Sequence, residues 1–381
     1  MDRRLLLLVG VIVLVDTMLY AALAPLLPAL EDEFRLAKSE AGLLVAAYPV
    51  GTLLGALPGG WLASRYGPRA TVVSGLITMT LAGSVFAVAQ SAVILDLARF
   101  AQGIGGALTW TAGLAWLGMA IPRERRGEAI GVAIGAAVFG AQFGPVVGVA
   151  AETLGRAPAF LAVAALGLGL AVAARAEPRP VAAGDVTTRA RALLRDRTFL
   201  AAAWLTFAPS LAFGVEEVLV PLRLDDLGAS ALGIGAAFLV AALAEAVVSP
   251  LAGRFADRRG TLPIVRGAML AGGMLVGVFW LPEHALVLAA LVVAFAVVAG
   301  MLMTPSGKLV SLRSEALGVD QAWAFAFNNV GWSAGMGLGA AAGGALGQVV
   351  GDWLPYTLCG ALLLATGLAA LRLPVTDRVP R

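Results

Sequence analysis

Apolar runs of about twenty residues recur along the whole chain, and a run of that length can cross the hydrocarbon of a bilayer as one helix. No other feature narrows the fold as far. A chain of 381 residues has room for two soluble domains, but 60% of these residues are hydrophobic and 13% are charged. Soluble domains carry about 25% charged residues. With a mean hydropathy of +0.89, the expected fold class is an all-α membrane protein.

Twelve spans are expected. Six, at 5–30, 41–63, 70–90, 93–121, 128–151 and 158–176, belong to an N-terminal bundle over 1–176. Six more, at 198–222, 231–253, 264–281, 285–307, 321–350 and 354–373, form a C-terminal bundle over 198–381. Between them, 177–197 reads as a cytoplasmic linker rich in Arg and Pro, in which Thr188 to Arg195 could lie as a short surface helix. The net charge of +3 is no nucleic-acid footprint, because the arginines cluster in alternate short loops such as Arg65 and Arg69, Arg123 to Arg126, and Arg254 to Arg259. That distribution is topological and puts both termini on the cytoplasmic side of the inner (plasma) membrane. The apolar run after Arg3 and Arg4 is too long for a signal-peptide core and is read as an uncleaved first helix. No soluble domain is expected at either end. Cys359, the only cysteine, excludes an internal disulfide and a cysteine metal cluster.

One ungapped shift aligns Arg4 with Arg197, Pro28 with Pro221, Gly42 with Gly235, Gly60 with Gly253, Arg65 with Arg258 and Gly67 with Gly260. Matches concentrated on Gly, Pro and Arg indicate an internal repeat. Two six-helix bundles related by a pseudo-two-fold axis along the membrane normal are an architecture of alternating-access transporters.

The loop Gly60-Trp61-Leu62-Ala63-Ser64-Arg65-Tyr66-Gly67-Pro68-Arg69, and its partner Gly253-Arg254-Phe255-Ala256-Asp257-Arg258-Arg259-Gly260, resemble the signature loop of the major facilitator superfamily. In that family the loop's Asp and Arg latch neighbouring helices. Ser64 departs from the pattern where the first copy should carry Asp. Arg99-Phe100-Ala101-Gln102-Gly103-Ile104-Gly105-Gly106-Ala107 resembles the family's fourth-helix motif. Its guanidinium, charged at any physiological pH, has two carboxylate candidates as partners, Asp96 one turn earlier and Asp16 across the bundle. Gly131, Gly140, Gly144, Pro145 and Gly148 resemble the family's antiporter motif, in which glycines allow close helix approach and Pro bends the helix.

A carboxylate inside an apolar span marks a functional site. Asp16 stands alone in the run from Leu5 to Leu30. The stretch Asp16-x-Met18-Leu19-x₅-Pro25-x-x-Pro28 resembles the first helix of the drug:proton antiporter branch, which includes multidrug efflux and vesicular amine transporters, and there this Asp is linked to amine and proton binding. The repeat pairs position 16 with Pro209, so the second half has no matching acid. Its candidates are Glu216 and Glu217, which diverge by about 100° on a helix, and Glu245. Of the first two, Glu216 is expected to face the cavity and Glu217 the rim. Tyr20, Tyr48, Trp110, Trp204, Phe207, Phe213, Trp323, Phe327 and Trp332, with Asn328 and Asn329, are candidates to line a cavity suited to a lipophilic cation. Trp61, Trp280 and Trp353 read as interfacial belt residues, and His284 as a loop residue at the surface.

The resemblance implies a proton-coupled, alternating-access exporter of small cationic or amphipathic molecules, using Asp16 as the shared site. A sugar, peptide or lipid exporter, with its acids serving coupling or structure alone, is the alternative. The partners expected are a small-molecule substrate, protons and the lipid bilayer, with no nucleic acid, no cofactor and no metal, for a monomeric chain. Nothing resembles a catalytic cluster, so an enzyme is not expected.

Overall fold

The computed structural model describes residues 3–121, 126–178, 193–319 and 321–370, and these are helical throughout, with no strand among them. The helices are α1 (Arg3–Ala21), α2 (Leu23–Phe34), α3 (Lys38–Tyr66), α4 (Pro68–Val88), α5 (Ala92–Ala120), α6 (Arg126–Leu154), α7 (Arg156–Ala176), α8 (Arg197–Asp226), α9 (Ala231–Arg259), α10 (Thr261–Gly277), α11 (Ala285–Ala316), α12 (Gln321–Val349) and α13 (Trp353–Ala369). Eight spans are long and apolar enough to cross a membrane by length and composition, with α1 and α2 together making one of them. Most of the linker, including the expected surface helix from Thr188, lies outside the described residues.

The chain divides into two compact units. One comprises Met1–Arg35 and Ala47–Asp185, the other Leu36–Ala46 and Val186–Arg381. Thus α3 begins in the second unit and continues into the first.

In the first unit, the first expected span is two helices. Pro25 has no N–H to give the carbonyl of Ala21, four residues back, and its ring crowds that carbonyl. The helix accordingly stops at Ala21 and restarts at Leu23. α4 shows why these helices belong in lipid. Its buried face carries Val72, Leu76, Met79, Gly83 and Phe86, while Ile77, Leu81, Val85 and Val88 on the other side are exposed. A helix apolar on both faces is stable only with lipid against its outer face. Leu5, Val9, Ile12, Leu76, Trp116 and Leu117 pack together as the core at one end. Arg69 donates to the carbonyls of Arg175 (3.1 Å) and Glu177 (2.7 Å) and so caps the end of α7.

The second unit is built on α8 against α12. Backbone approach is close because Gly214 faces Met336 and Ala340, and Gly335 and Gly339 face Phe207 and Leu211; a methyl at any of these would collide with backbone. At the start of α8, Asp196 accepts from the N–H of Phe199 (2.8 Å) and takes a bidentate pair from Arg313 of α11 (2.9 and 2.6 Å). The guanidinium holds this carboxyl, which lies outside the apolar span, below its ordinary range. α11 runs on to Ala316, so Lys308 and Arg313, which lie beyond the expected span at 285–307, occupy its last turns.

The first turns of α3 fasten to α12 and to the start of α13. Lys38 Nζ lies 2.9 Å from Asp352 Oδ1, the Ser39 N–H donates to Gln348 Oε1 (3.0 Å), and Gly42 meets Gly344 backbone to backbone. The repeat is visible in the backbone as well. Gly67 (φ 88°, ψ 152°) and Gly260 (φ 90°, ψ 151°) occupy matching left-handed positions between successive helices, which favour residues without Cβ.

Candidate functional site

Asp16 lies in the last two turns of α1, 3% exposed. Two neutral donors take its two oxygens: the Tyr48 hydroxyl on α3 donates to Oδ1 at 2.5 Å, and the Trp110 indole N–H on α5 to Oδ2 at 2.7 Å. Hydrogen bonds to an ionised acceptor are short and strong, so the pair can hold a carboxylate where water is excluded. Convergence depends on glycine. A Cβ on Gly106 of α5 would overlap the Asp16 carboxyl and come within 2.7 Å of the Tyr48 hydroxyl, and Gly103 brings the α5 backbone against Tyr48 and Thr52 of α3.

Arg99 is 1% exposed. Its NH1 donates to the Leu19 carbonyl (3.0 Å) and to Gln102 Oε1 (3.1 Å), and its NH2 to the Tyr20 carbonyl (3.2 Å). Those two carbonyls belong to the last turn of α1, where the Pro25 break interrupts the ladder. The guanidinium therefore sits at a helix C-terminus, the end that favours positive charge. It also stands 4.9 Å above the Tyr48 ring, whose other neighbour is Tyr20 at 5.2 Å. Of the expected first-half residues, Asp16, Tyr20, Tyr48, Arg99 and Trp110 form one cluster.

The antiporter-like helix α6 backs this cluster. Gly140 packs on Leu14 and Thr17, Gly144 on Ala21, and Gly148 on Ala22 and Pro25, while Thr17 donates to the Ala137 carbonyl at 2.7 Å. The glycines around Pro145 thus seat the break in the Asp16 helix. Gly131, grouped with them from sequence, faces open space and takes no part.

In the second unit the two neighbouring acids of α8 differ in burial. Glu216 is enclosed at 5% exposure, and Glu217 is the half-buried member of the pair. Glu216 shares a face with Phe213, one turn back, which packs inward. Glu245 is half-buried on α9. Asn328 accepts from Thr206 (2.8 Å), and the Asn329 carbonyl accepts from Ser333 (2.7 Å). Trp332 is half-buried on α12. Trp204 is tied to Thr366 of α13 (3.2 Å) and stacked on Phe207, 43% exposed, so it does not join the acids.

In the signature loops, Ser64 donates back to the Trp61 carbonyl of its own helix (2.8 Å), and Arg65 lies over Trp61 and Tyr66. Arg258 is exposed, Gly60 and Gly253 lie in the helix ends before the loops, and the side chain of Asp257 lies outside those described. Gln102, Gly106 and Tyr356 were not singled out from sequence as site residues. The first two stand in the quoted fourth-helix motif; nothing in the pattern pointed to Tyr356. Among the described residues no group of three or more His, Cys, Asp or Glu could hold a metal.

The profile of the Major Facilitator Superfamily matches residues 9–323 and 218–381. The synaptic vesicular amine transporter of Bos taurus is 28% identical over 338 residues, covering 85% of this chain and 64% of that protein. An MFS-type transporter, ppzB, of Metarhizium rileyi is 31% identical over 166 residues, covering 42% of this chain and 34% of its own length. The chain spans less than two thirds of the length of these curated relatives. A crystal structure of a D-xylose-proton symporter is alike in fold, with a TM-score of 0.79 at 16% identity over 96% of both chains. Matched along most of its length by the family profile, this chain belongs to the Major Facilitator Superfamily.

Proposed function

We propose that the protein is a proton-coupled antiporter that exports small cationic or amphipathic molecules by alternating access, with both termini in the cytoplasm, as a monomer in the inner (plasma) membrane. The Asp16 cluster carries this reading. A carboxylate buried in a span and held by two donors with no charge of their own can exchange a proton for a cation, because either exchange changes the same site from negative to neutral. To admit a cation, Tyr48 or Trp110 gives up its oxygen, and the Tyr20 and Tyr48 rings offer π faces beside it. Arg99, held by α1 carbonyls, keeps a fixed positive charge nearby, so that a substrate cation is released once Asp16 is protonated. Similarity to the vesicular amine transporter over most of the chain supports a cationic substrate, whereas the likeness to the xylose symporter concerns fold.

The test uses purified protein in proteoliposomes with tetraphenylphosphonium as probe. An imposed proton gradient should drive accumulation of the probe, and Asp16→Asn should abolish it. Transport indifferent to the gradient, or undiminished in Asp16→Asn, overturns the reading. Competition by sugars but not by organic cations would establish the neutral-substrate alternative.

A further inference from the structure

The second unit holds a buried acid that the Asp16 mechanism does not use. Among the described residues, Oε2 of Glu216 is sealed from solvent and has no hydrogen-bond partner. The hydroxyl of Tyr356 on α13, a residue 2% exposed, also lacks one, and the two groups are within electrostatic reach of each other. Aromatic rings connect their surroundings: Phe213 meets Phe295 of α11 at 5.1 Å, Phe295 meets Phe279 at 5.9 Å, and Phe279 meets Tyr356 at 5.6 Å. Glu217 on the same helix and Glu245 on α9 are the charged groups that act on Glu216, and both are acids. Asp352 and Arg223 act on Tyr356. A sealed carboxyl oxygen with no donor among the described residues, one turn from an inward-packed ring and acted on by two further acids, is a group that a proton neutralises in place.

We infer that Glu216, with the Tyr356 hydroxyl within electrostatic reach of it, is a second proton-binding site, carried by the half of the molecule that lacks a counterpart of Asp16. The proton goes to Oε2, forming the carboxylic O–H, and Tyr356 is the group able to hydrogen-bond it as it enters and leaves. The role of this site in transport rests on the proton-coupled reading, while the binding of the proton does not.

Infrared difference spectra of the full chain in lipid nanodiscs, recorded between mildly acidic and alkaline buffer, read the protonated-carboxyl stretch directly. Wild type should show such a band lost on the alkaline side. Glu216→Gln should lack that component, Asp16→Asn should retain it, and Tyr356→Phe should shift both its frequency and its titration midpoint. If Glu216→Gln gives the wild-type spectrum, or if the Glu216 band persists unchanged at alkaline pH, the inference is wrong. Should Glu216→Gln fail to fold, the Tyr356→Phe spectrum decides, since an unmoved band and midpoint overturn the pairing. Tetraphenylphosphonium binding by calorimetry on wild type and Asp16→Asn reports on the Asp16 proposal separately and leaves the Glu216 band unaffected.

Discussion

Both oxygens of Asp16 are bound by donors that bring no charge, so the energetics of the site depend on whether the acceptor is ionised. Removing the Tyr48 hydroxyl leaves a buried carboxylate oxygen without its 2.5 Å bond, a loss of about 1–3 kcal/mol. If that loss belongs to the pair, it must shrink once the carboxylate is gone. Tyr48→Phe is therefore expected to lower thermal stability in the wild-type background and much less so in Asp16→Asn, with a coupling of about 0.5–3 kcal/mol in the double-mutant cycle. Equal losses in both backgrounds would mean that Tyr48 acts through packing alone. Asp16 was legible in the sequence because a lone acid in an apolar run has few structural explanations. The backbone partners of Arg99 were not. The sequence offered Asp96 and Asp16, and Arg99 does act on the Asp16 carboxyl through its charge, but its bonds to Leu19 and Tyr20 go to backbone carbonyls. Every residue carries such a carbonyl, and only the fold shows which of them a distant guanidinium reaches.

Between elements, one close constraint near the site is the seating of α1 and α2 on α6. Position by position the glycines of α6 are not equivalent: a methyl on Gly144 would meet the Ala21 backbone at 2.7 and 2.9 Å, whereas one on Gly135 would meet nothing within 4 Å. Backbone cannot yield as a flexible side chain does, so Gly144→Ala has to push α1 and α6 apart. Its expected stability loss is about 1–3 kcal/mol. Gly135→Ala should be neutral or stabilising by up to about 1 kcal/mol, since alanine is the better helix former. Thermal unfolding of the two variants in the same lipid makes the comparison, and similar effects would show that α6 has no special contact with α1. The spaced glycines could be read from the chain as a packing face, but spacing alone could not separate Gly131 from Gly140, because it does not say where the partner helix ends. The break at Ala21 was implicit in Pro25, and the helical extent of α11 beyond the apolar run was not, since its last turns carry Lys308 and Arg313 and follow helix geometry rather than hydropathy.

Across the whole molecule, α3 is the helix that belongs to both units: Leu36–Ala46 pack with one and the remainder with the other. Alternating access rocks one repeat against the other, so in the proposed cycle the start of α3 has to leave α12 and the start of α13. The Lys38–Asp352 pair is partly exposed on both sides (30% and 17%), and a pair of that kind contributes only about 0–1 kcal/mol. Losing it shifts a two-state balance by no more than about fivefold, so Lys38→Glu should change the transport rate by that order and should not unfold the protein. Lys38→Glu combined with Asp352→Lys should restore the rate. A covalent bond in the same place must do far more. With Cys359, the single native cysteine, replaced by serine, Lys38→Cys and Asp352→Cys bridged by a short bis-methanethiosulfonate linker should stop tetraphenylphosphonium transport completely, and reduction should restore it. Full transport by the bridged protein would show that this end of α3 never lets go, and the cycle would then have to turn on helices other than α3.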